Sequence, residues 1–314
     1  MAATSPDFPE KENPSKEPVS WHKTTFYALQ NRDYRIMWIG SFISNIGTWS
    51  QKVAEPWLVF SLSGSAFLLG LNGFAAEVPL LALLLLGGVL ADRFDRKKLL
   101  MLSQTVQMLG ALTIMILALA DQINVWMIIG VSFIVGCAQS VSTPTYLSIL
   151  PSLVSREYLT NAIALNSTQF NLSRLIGPVI GGALLVGAGA AWCFGINALS
   201  YAALIIILTM IRVPRVEQQA EKPAVWHSIR EGIREISSKK ELVTLLIIIC
   251  SVSFFGGPLL NFLPVLAKEV LRVGAQGFST ALACFGGGAV IGALAIAGFG
   301  QVMDKHRIVQ AAAT

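Results

Sequence analysis

The chain has 314 residues and a formal net charge of +5; 54% of its residues are hydrophobic and only 13% are charged. With a mean hydropathy of +0.63 and about half the charged fraction of an ordinary soluble domain, a soluble fold with a large core is excluded, and the class is a polytopic membrane protein. The basic residues are dealt out between apolar stretches rather than gathered on one stripe, which argues against a nucleic-acid footprint and reads as a topology signal.

Residues 1–34 form a polar, proline-containing tail with an amphipathic lead-in. No apolar stretch precedes the first span, so no cleavable signal peptide is expected. A spanning helix needs about 20 apolar residues. Eight stretches qualify: Arg35–Leu62, Leu68–Ala91, Leu99–Ala120, Val125–Leu150, Asn161–Gly187, Ala190–Ile211, Leu242–Ala267 and Phe278–Met303. The organisation expected is a six-helix bundle over 35–211, a linker over 212–241 and a partial second bundle over 242–314. The outer loops are very short, so neighbouring helices are expected to form antiparallel hairpins. The linker places Trp226, Ile229, Ile233 and Ile236 on one apolar stripe of a basic helix suited to a membrane interface.

Of the 23 Lys and Arg residues, 19 flank one side of these spans, two (Lys268 and Arg272) flank the other, and Lys52 and Arg174 lie inside. The positive-inside rule then puts the protein in the cell membrane with both termini cytoplasmic. Trp38, Trp57, Trp126 and Trp192 fall near span ends, where interfacial rings are expected, and only Trp49 is deep. The cysteines (137, 193, 250 and 284) all sit in apolar spans and read as small buried hydrophobes. The histidines (22, 227 and 306) lie outside the spans with no ligand partner nearby, so no metal is expected.

Four ionisable residues inside spans draw attention because an unpaired charge at bilayer depth costs about 2.5–3.5 kcal/mol. They are Lys52 and Glu55 on span 1, Glu77 on span 2 and Arg174 on span 5. Two acids and two bases allow full pairing, and Lys52 and Glu55, three apart, share a helix face. A glutamate there can carry a proton while a cation tunes its pKa; Glu77, with no opposite charge on its own helix, is the preferred carrier over Glu55. A static ion-pair network is the alternative. Polar residues suited to lining a substrate pathway cluster as Asn45, Trp49 and Gln51 on span 1, Gln139 on span 4, and Asn166 and Asn171 on span 5.

Two local patterns add to this. The loop after span 2 reads G-x-x-x-D-R-x-x-R-K, filled by Gly88, Asp92, Arg93, Arg96 and Lys97. The glycine admits a close neighbour helix, the aspartate suits the free N–H groups of a helix end, and the basic residues serve as anchors and ion-pair partners. Gly300, Asp304 and Lys305 repeat the pattern's start after span 8, evidence for two related halves. On span 5, Gly177-Pro178 with Gly181-Gly182 predicts a bent, tightly packed helix.

These features together resemble the major facilitator superfamily, and more narrowly its branch of drug and macrolide efflux pumps and the enterobactin exporter. The segments that carry the resemblance are FISNIGTWSQKVAEPWLVFSLSGSAFLLGL, GGVLADRFDRKKLL and PSLVSREYLTNAIALNSTQFNLSRLIGPVIGG. It implies an all-α integral membrane fold with a complete first six-helix half and the first two helices of the second. Helices 1, 2, 4 and 5 would line the pathway and 3 and 6 stand outside. It gives the Gly177-Pro178 pattern the character of a proton-driven exporter and gives Asp92 a partner helix in the second half. The superfamily has twelve spans and this chain eight, so the missing helices are expected from a longer chain or a companion.

The function expected is secondary active export of a hydrophobic or amphipathic small molecule, by proton antiport with alternating access. The proton gradient is the energy source; no cofactor, nucleotide or nucleic acid is needed. No catalytic constellation and no G-x-x-x-x-G-K-[ST] loop is present, so enzymatic activity is not expected. An importer of the same fold, or a truncated membrane protein without transport, are the alternatives.

Overall fold

The computed structural model describes residues 26–213 and 261–299, with isolated positions between 234 and 251; the side chains at 84–86, 89, 92, 93, 286 and 289–299 are not among those described. Among the described residues, seven long helices follow a short 3-10 turn at Tyr27–Gln30: α1 Arg32–Ser63, α2 Ala66–Arg93, α3 Arg96–Leu119, α4 Val125–Leu153, α5 Leu159–Gly187, α6 Ala190–Met210 and α7 Gly274–Phe299. They overlap the stretches expected as spans 1–6 and 8. The expected span 7, the linker stripe and the second loop repeat lie largely or wholly outside the described residues. Five of the helices, α2 to α6, are long and apolar enough to cross a membrane. Helix α1 is more polar, because it carries the charged and amide side chains discussed below.

Local chemistry sets the helix starts. Asn31 caps α1 by accepting from the backbone N–H groups of Asp33 at 3.0 Å and Tyr34 at 3.3 Å. Ser65, Asp95 and Asn124 cap α2, α3 and α4 through the N–H groups of Leu68, Lys98 and Met127. Such side-chain oxygens satisfy amides that have no partner within the helix. Only Gly64 and Ser65 separate α1 from α2; Gly64 turns the chain at φ +58°, a left-handed conformation that favours glycine.

The expected hairpin packing holds for one pair only. Helices α3 and α4 pack along each other, whereas α1–α2, α2–α3, α4–α5 and α5–α6 touch sparingly. The extensive contacts are α2–α4, α1–α6, α1–α5, α3–α6 and α5–α7. Short loops fix direction, but partners are chosen by side chains. In lipid, helices associate through small residues and polar bonds rather than hydrophobic burial, and those residues match non-consecutive helices. At Gly47 of α1, a Cβ would collide with Ser200 and with Asn197 Oδ1 at 2.8 Å, both on α6.

Two apolar clusters hold the ends of the bundle. Tyr34, Met37, Leu100, Ile149, Leu165 and Leu208 belong to the one at the end where α1 starts. Val53, Phe60, Leu69, Ile128, Phe194 and Phe278 belong to the other. Many of the buried polar side chains lie between them, among them Ser44, Ser50, Gln107, Ser140, Ser173, Asn197 and Ser200.

Candidate functional site

Glu55 lies where this middle layer meets the far apolar cluster, next to its members Val53 and Ala54 along α1. Its Oε1 accepts from Asn72 Nδ2 on α2 at 2.9 Å and from Ser132 Oγ on α4 at 2.8 Å. Its Oε2 accepts from Gln51 Nε2 at 3.2 Å, one turn earlier on α1. Gln51 in turn accepts from Asn197 Nδ2 on α6 at 2.6 Å. Asn197 Oδ1 accepts from Ser200 Oγ at 3.1 Å and Thr48 Oγ1 at 3.5 Å, and the Thr48 and Tyr201 hydroxyls are 3.2 Å apart. A continuous polar relay therefore joins α1, α2, α4 and α6 through one carboxylate. Asn72, Ser132, Thr48, Asn197 and Tyr201 were not singled out from the sequence. For α6 the signal was available: Asn197, Ser200 and Tyr201, at spacings of three and four, form a polar stripe in an otherwise apolar span. Asn197, which is 1% exposed, brings α6 into this relay.

The two cations are elsewhere. Lys52 Nζ lies 5.0 Å and Arg174 Cζ 5.4 Å from the centroid of the Trp49 ring. Arg174 also lies 5.0 Å from the ring centroid of Phe285 on α7. No ion pair forms among Lys52, Glu55, Glu77 and Arg174 in the described residues. The expected full pairing is thus not what the structure contains: Glu55 is occupied by amide and hydroxyl donors, and the cations lie over aromatic faces. Glu77 is exposed on α2, on the same stripe as the exposed Phe67, Phe74 and Leu81.

The glycine pattern of span 5 divides between two neighbours. A Cβ at Gly177 would meet Trp49 Cβ and Ile46 O, and one at Gly181 would meet the Ser50 backbone at 2.6–3.0 Å, all on α1. Ser50 Oγ completes this contact by donating to the Gly177 carbonyl at 2.9 Å. Gly182 instead faces Ser279 of α7. Helix α5 runs unbroken through the buried Pro178 and lies between α1 and α7.

The loop motif is resolved in part. A Cβ at Gly88 would meet open space; the close approach to α4 is made by Gly87, against the Ser140 carbonyl and Val141 Cα. Asp92 and Arg93 close helix α2, and their side chains lie outside the described residues. Arg96 donates to the Ser148 carbonyl of α4 at 2.9 Å and to the Ala91 carbonyl at 3.3 Å. Lys97 donates to the carbonyls of Ile211 at 2.9 Å and Thr209 at 3.3 Å, at the C-terminal end of α6. A cation at that end complements the helix dipole, so these residues tie three helix ends together.

The pathway residues scatter. Gln51 belongs to the relay and Trp49 to the cation site. Asn166 Oδ1 accepts from the Tyr146 hydroxyl of α4 at 2.7 Å. Gln139 and Asn171 are exposed and bond within their own helices, to Thr143 Oγ1 and the Ser167 carbonyl. Asn45 is half-buried. Cys193 is buried as expected, whereas Cys284 on α7 is exposed; Cys250 and the three histidines lie outside the described residues.

A family model described as transmembrane secretion effector matches residues 23–314. The chain belongs to this family. Curated relatives include the enterobactin exporter EntS of Salmonella typhi, 30% identical over 193 residues, which covers 61% of this chain and 47% of that protein. The protein of the same name from Escherichia coli O1:K1 / APEC is 29% identical over 191 residues, covering 60% and 46%. The match thus spans about half the length of these curated relatives. Among solved structures, a bacterial homologue of the human lysosomal transporter Spinster, inward-facing and unoccupied, superimposes with a TM-score of 0.64. It is 16% identical, with 88% of this chain and 63% of that chain covered, a likeness of fold. The fold is that of the major facilitator superfamily, all-helical and membrane-spanning, as its residue patterns implied.

Proposed function

We propose that this chain belongs to a secondary active exporter that moves a hydrophobic or amphipathic small molecule out of the cell by proton antiport with alternating access. It would lie in the plasma membrane with both termini cytoplasmic and use no cofactor beyond the proton gradient. The family membership and the exporter relatives support the direction of transport, and enterobactin, the cargo in their name, is the first cargo to try.

The observation that carries the coupling is the Glu55 relay. Three donors from α1, α2 and α4 converge on one carboxylate, so adding a proton converts an acceptor into a donor at a point shared by several helices. A helix motion that withdraws Asn72 or Ser132 would change which groups the carboxylate holds. Glu77, the carrier preferred from sequence, sits on the exposed stripe of α2 and has no comparable set of partners among the described residues. Glu55 is therefore the stronger candidate.

The test is uptake into inverted membrane vesicles energised by a proton gradient, with enterobactin as cargo. Glu55→Gln is expected to abolish gradient-dependent uptake while leaving counterflow exchange intact. Undiminished gradient dependence in Glu55→Gln, with loss in Glu77→Gln, would transfer the role to Glu77.

A further inference from the structure

From the arrangement around Trp49, we infer that Lys52, Arg174 and the Trp49 ring form a binding site for an organic anion with an aromatic or apolar body. This deepens the export reading by naming a class of cargo and rests on that reading for its physiological meaning.

Both cations lie over the same indole, so they are no further apart than the sum of their two distances to it. Like charges at that range repel, and such placement at bilayer depth needs compensation. The acids on the page do not supply it. Glu55, three residues from Lys52, has its oxygens turned to Asn72, Ser132 and Gln51. Glu77 is on another helix face, with no ion pair to either cation. Arg174 Nε is buried and has no hydrogen-bond partner. A buried donor of that kind is costly unless an acceptor reaches it, and a guanidinium can take a carboxylate, sulfonate or phosphate through two donors at once.

The surroundings suit the rest of such a molecule. Phe170 meets Trp49 edge-on at 6.0 Å between centroids, and Phe285 covers the other side of Arg174. The walls therefore come from α1, α5 and α7, with the cations as the charged centre. Because Phe285 belongs to α7 while Trp49 belongs to α1, a bound anion would touch both sides of the bundle that α5 separates.

The experiment uses two fluorescent probes with the same ring system, anionic anilinonaphthalene sulfonate and neutral phenylnaphthylamine. Each is titrated against the purified protein in nonionic detergent, with protein-free micelles subtracted. Arg174→Gln and Lys52→Gln are expected to weaken the anionic probe about tenfold or more, the scale of one charged hydrogen bond. The neutral probe is expected to bind all variants alike, which also reports that they are folded, and Arg174→Lys, which keeps the charge but not the two-donor fork, is expected to restore only part of the anion affinity. Equal weakening of both probes, or no change in either, overturns the inference. Binding needs no gradient, so the two readings fail separately. Anion preference without vesicle uptake would sink the export reading alone, and uptake without anion preference would sink this one alone.

Discussion

Two sides of helix α1 handle charge in opposite ways. Toward α2, α4 and α6, Glu55 receives three hydrogen bonds and passes its influence through Gln51 to Asn197. Toward α5 and α7, Lys52 and Arg174 share an indole, and a guanidinium nitrogen stays buried without an acceptor. The first side is a closed circuit that stabilises the bundle. The second is left short of acceptors, which costs stability and keeps donors ready for a ligand. Charge at bilayer depth is thus satisfied from within where it holds helices together and left open where it is to meet something else.

The sharpest way to break this comparison is to pry the two sides apart. Gly181→Leu puts a side chain into the Ser50 backbone, which cannot yield as a side-chain tip would. Overpacking of even a few methylenes costs about 1–3 kcal/mol, and a backbone obstacle places this variant at or beyond the top of that range. Loss of the monodisperse peak in size-exclusion chromatography is the expected result. Glu55→Leu comes next. It strands the donors of Asn72, Ser132 and Gln51, and about 1–3 kcal/mol of stability is expected to go, read as a lower Tm in detergent.

Arg174→Met is the matched contrast. It removes a cation that has no acceptor while keeping the apolar stem between Trp49 and Phe285, so its Tm should equal or exceed that of the parent. A drop as large as that of Glu55→Leu would erase the distinction between the two sides. Lys97→Ala, away from both, should cost about 0.5–1.5 kcal/mol by freeing the Thr209 and Ile211 carbonyls. Glu77→Gln, on the exposed stripe, is expected to leave stability within about 0.5 kcal/mol of the parent, read as an unchanged Tm.

Much of the fold was legible because lipid imposes a simple rule: long apolar runs, each satisfying its own backbone, become helices. The family followed from its loop and glycine motifs, whereas the helix starts set by the Asn31 and Asp95 caps precede the apolar runs that open at Arg35 and Leu99. Partner choice was not legible from loop length. Gly47 needs Ser200 and Asn197, and Gly177 needs Trp49, and nothing near them in the sequence announces partners some 130 to 150 residues away. The candidate site was half legible. Glu55, Gln51, Lys52, Trp49 and Arg174 stood out as polar residues in apolar spans. Counting charges suggested that they pair with one another, because a one-dimensional count cannot see that amides and hydroxyls from α2, α4 and α6 reach Glu55 first.

The contact order of the bundle has a consequence for how the protein is made. Ser50 of α1 bonds to Gly177, 127 residues later, and Asn197 reaches Gln51 across 146 residues. At typical synthesis rates of about 5–20 residues per second, α1 waits on the order of ten seconds before α5 and α6 exist. During that interval the least apolar span in the bundle stands in the bilayer with Lys52 and Glu55 uncovered. Helix α1 meets its two main neighbours only after α2, α3 and α4 have been made, which makes it a natural client of whatever shelters nascent spans at the translocon.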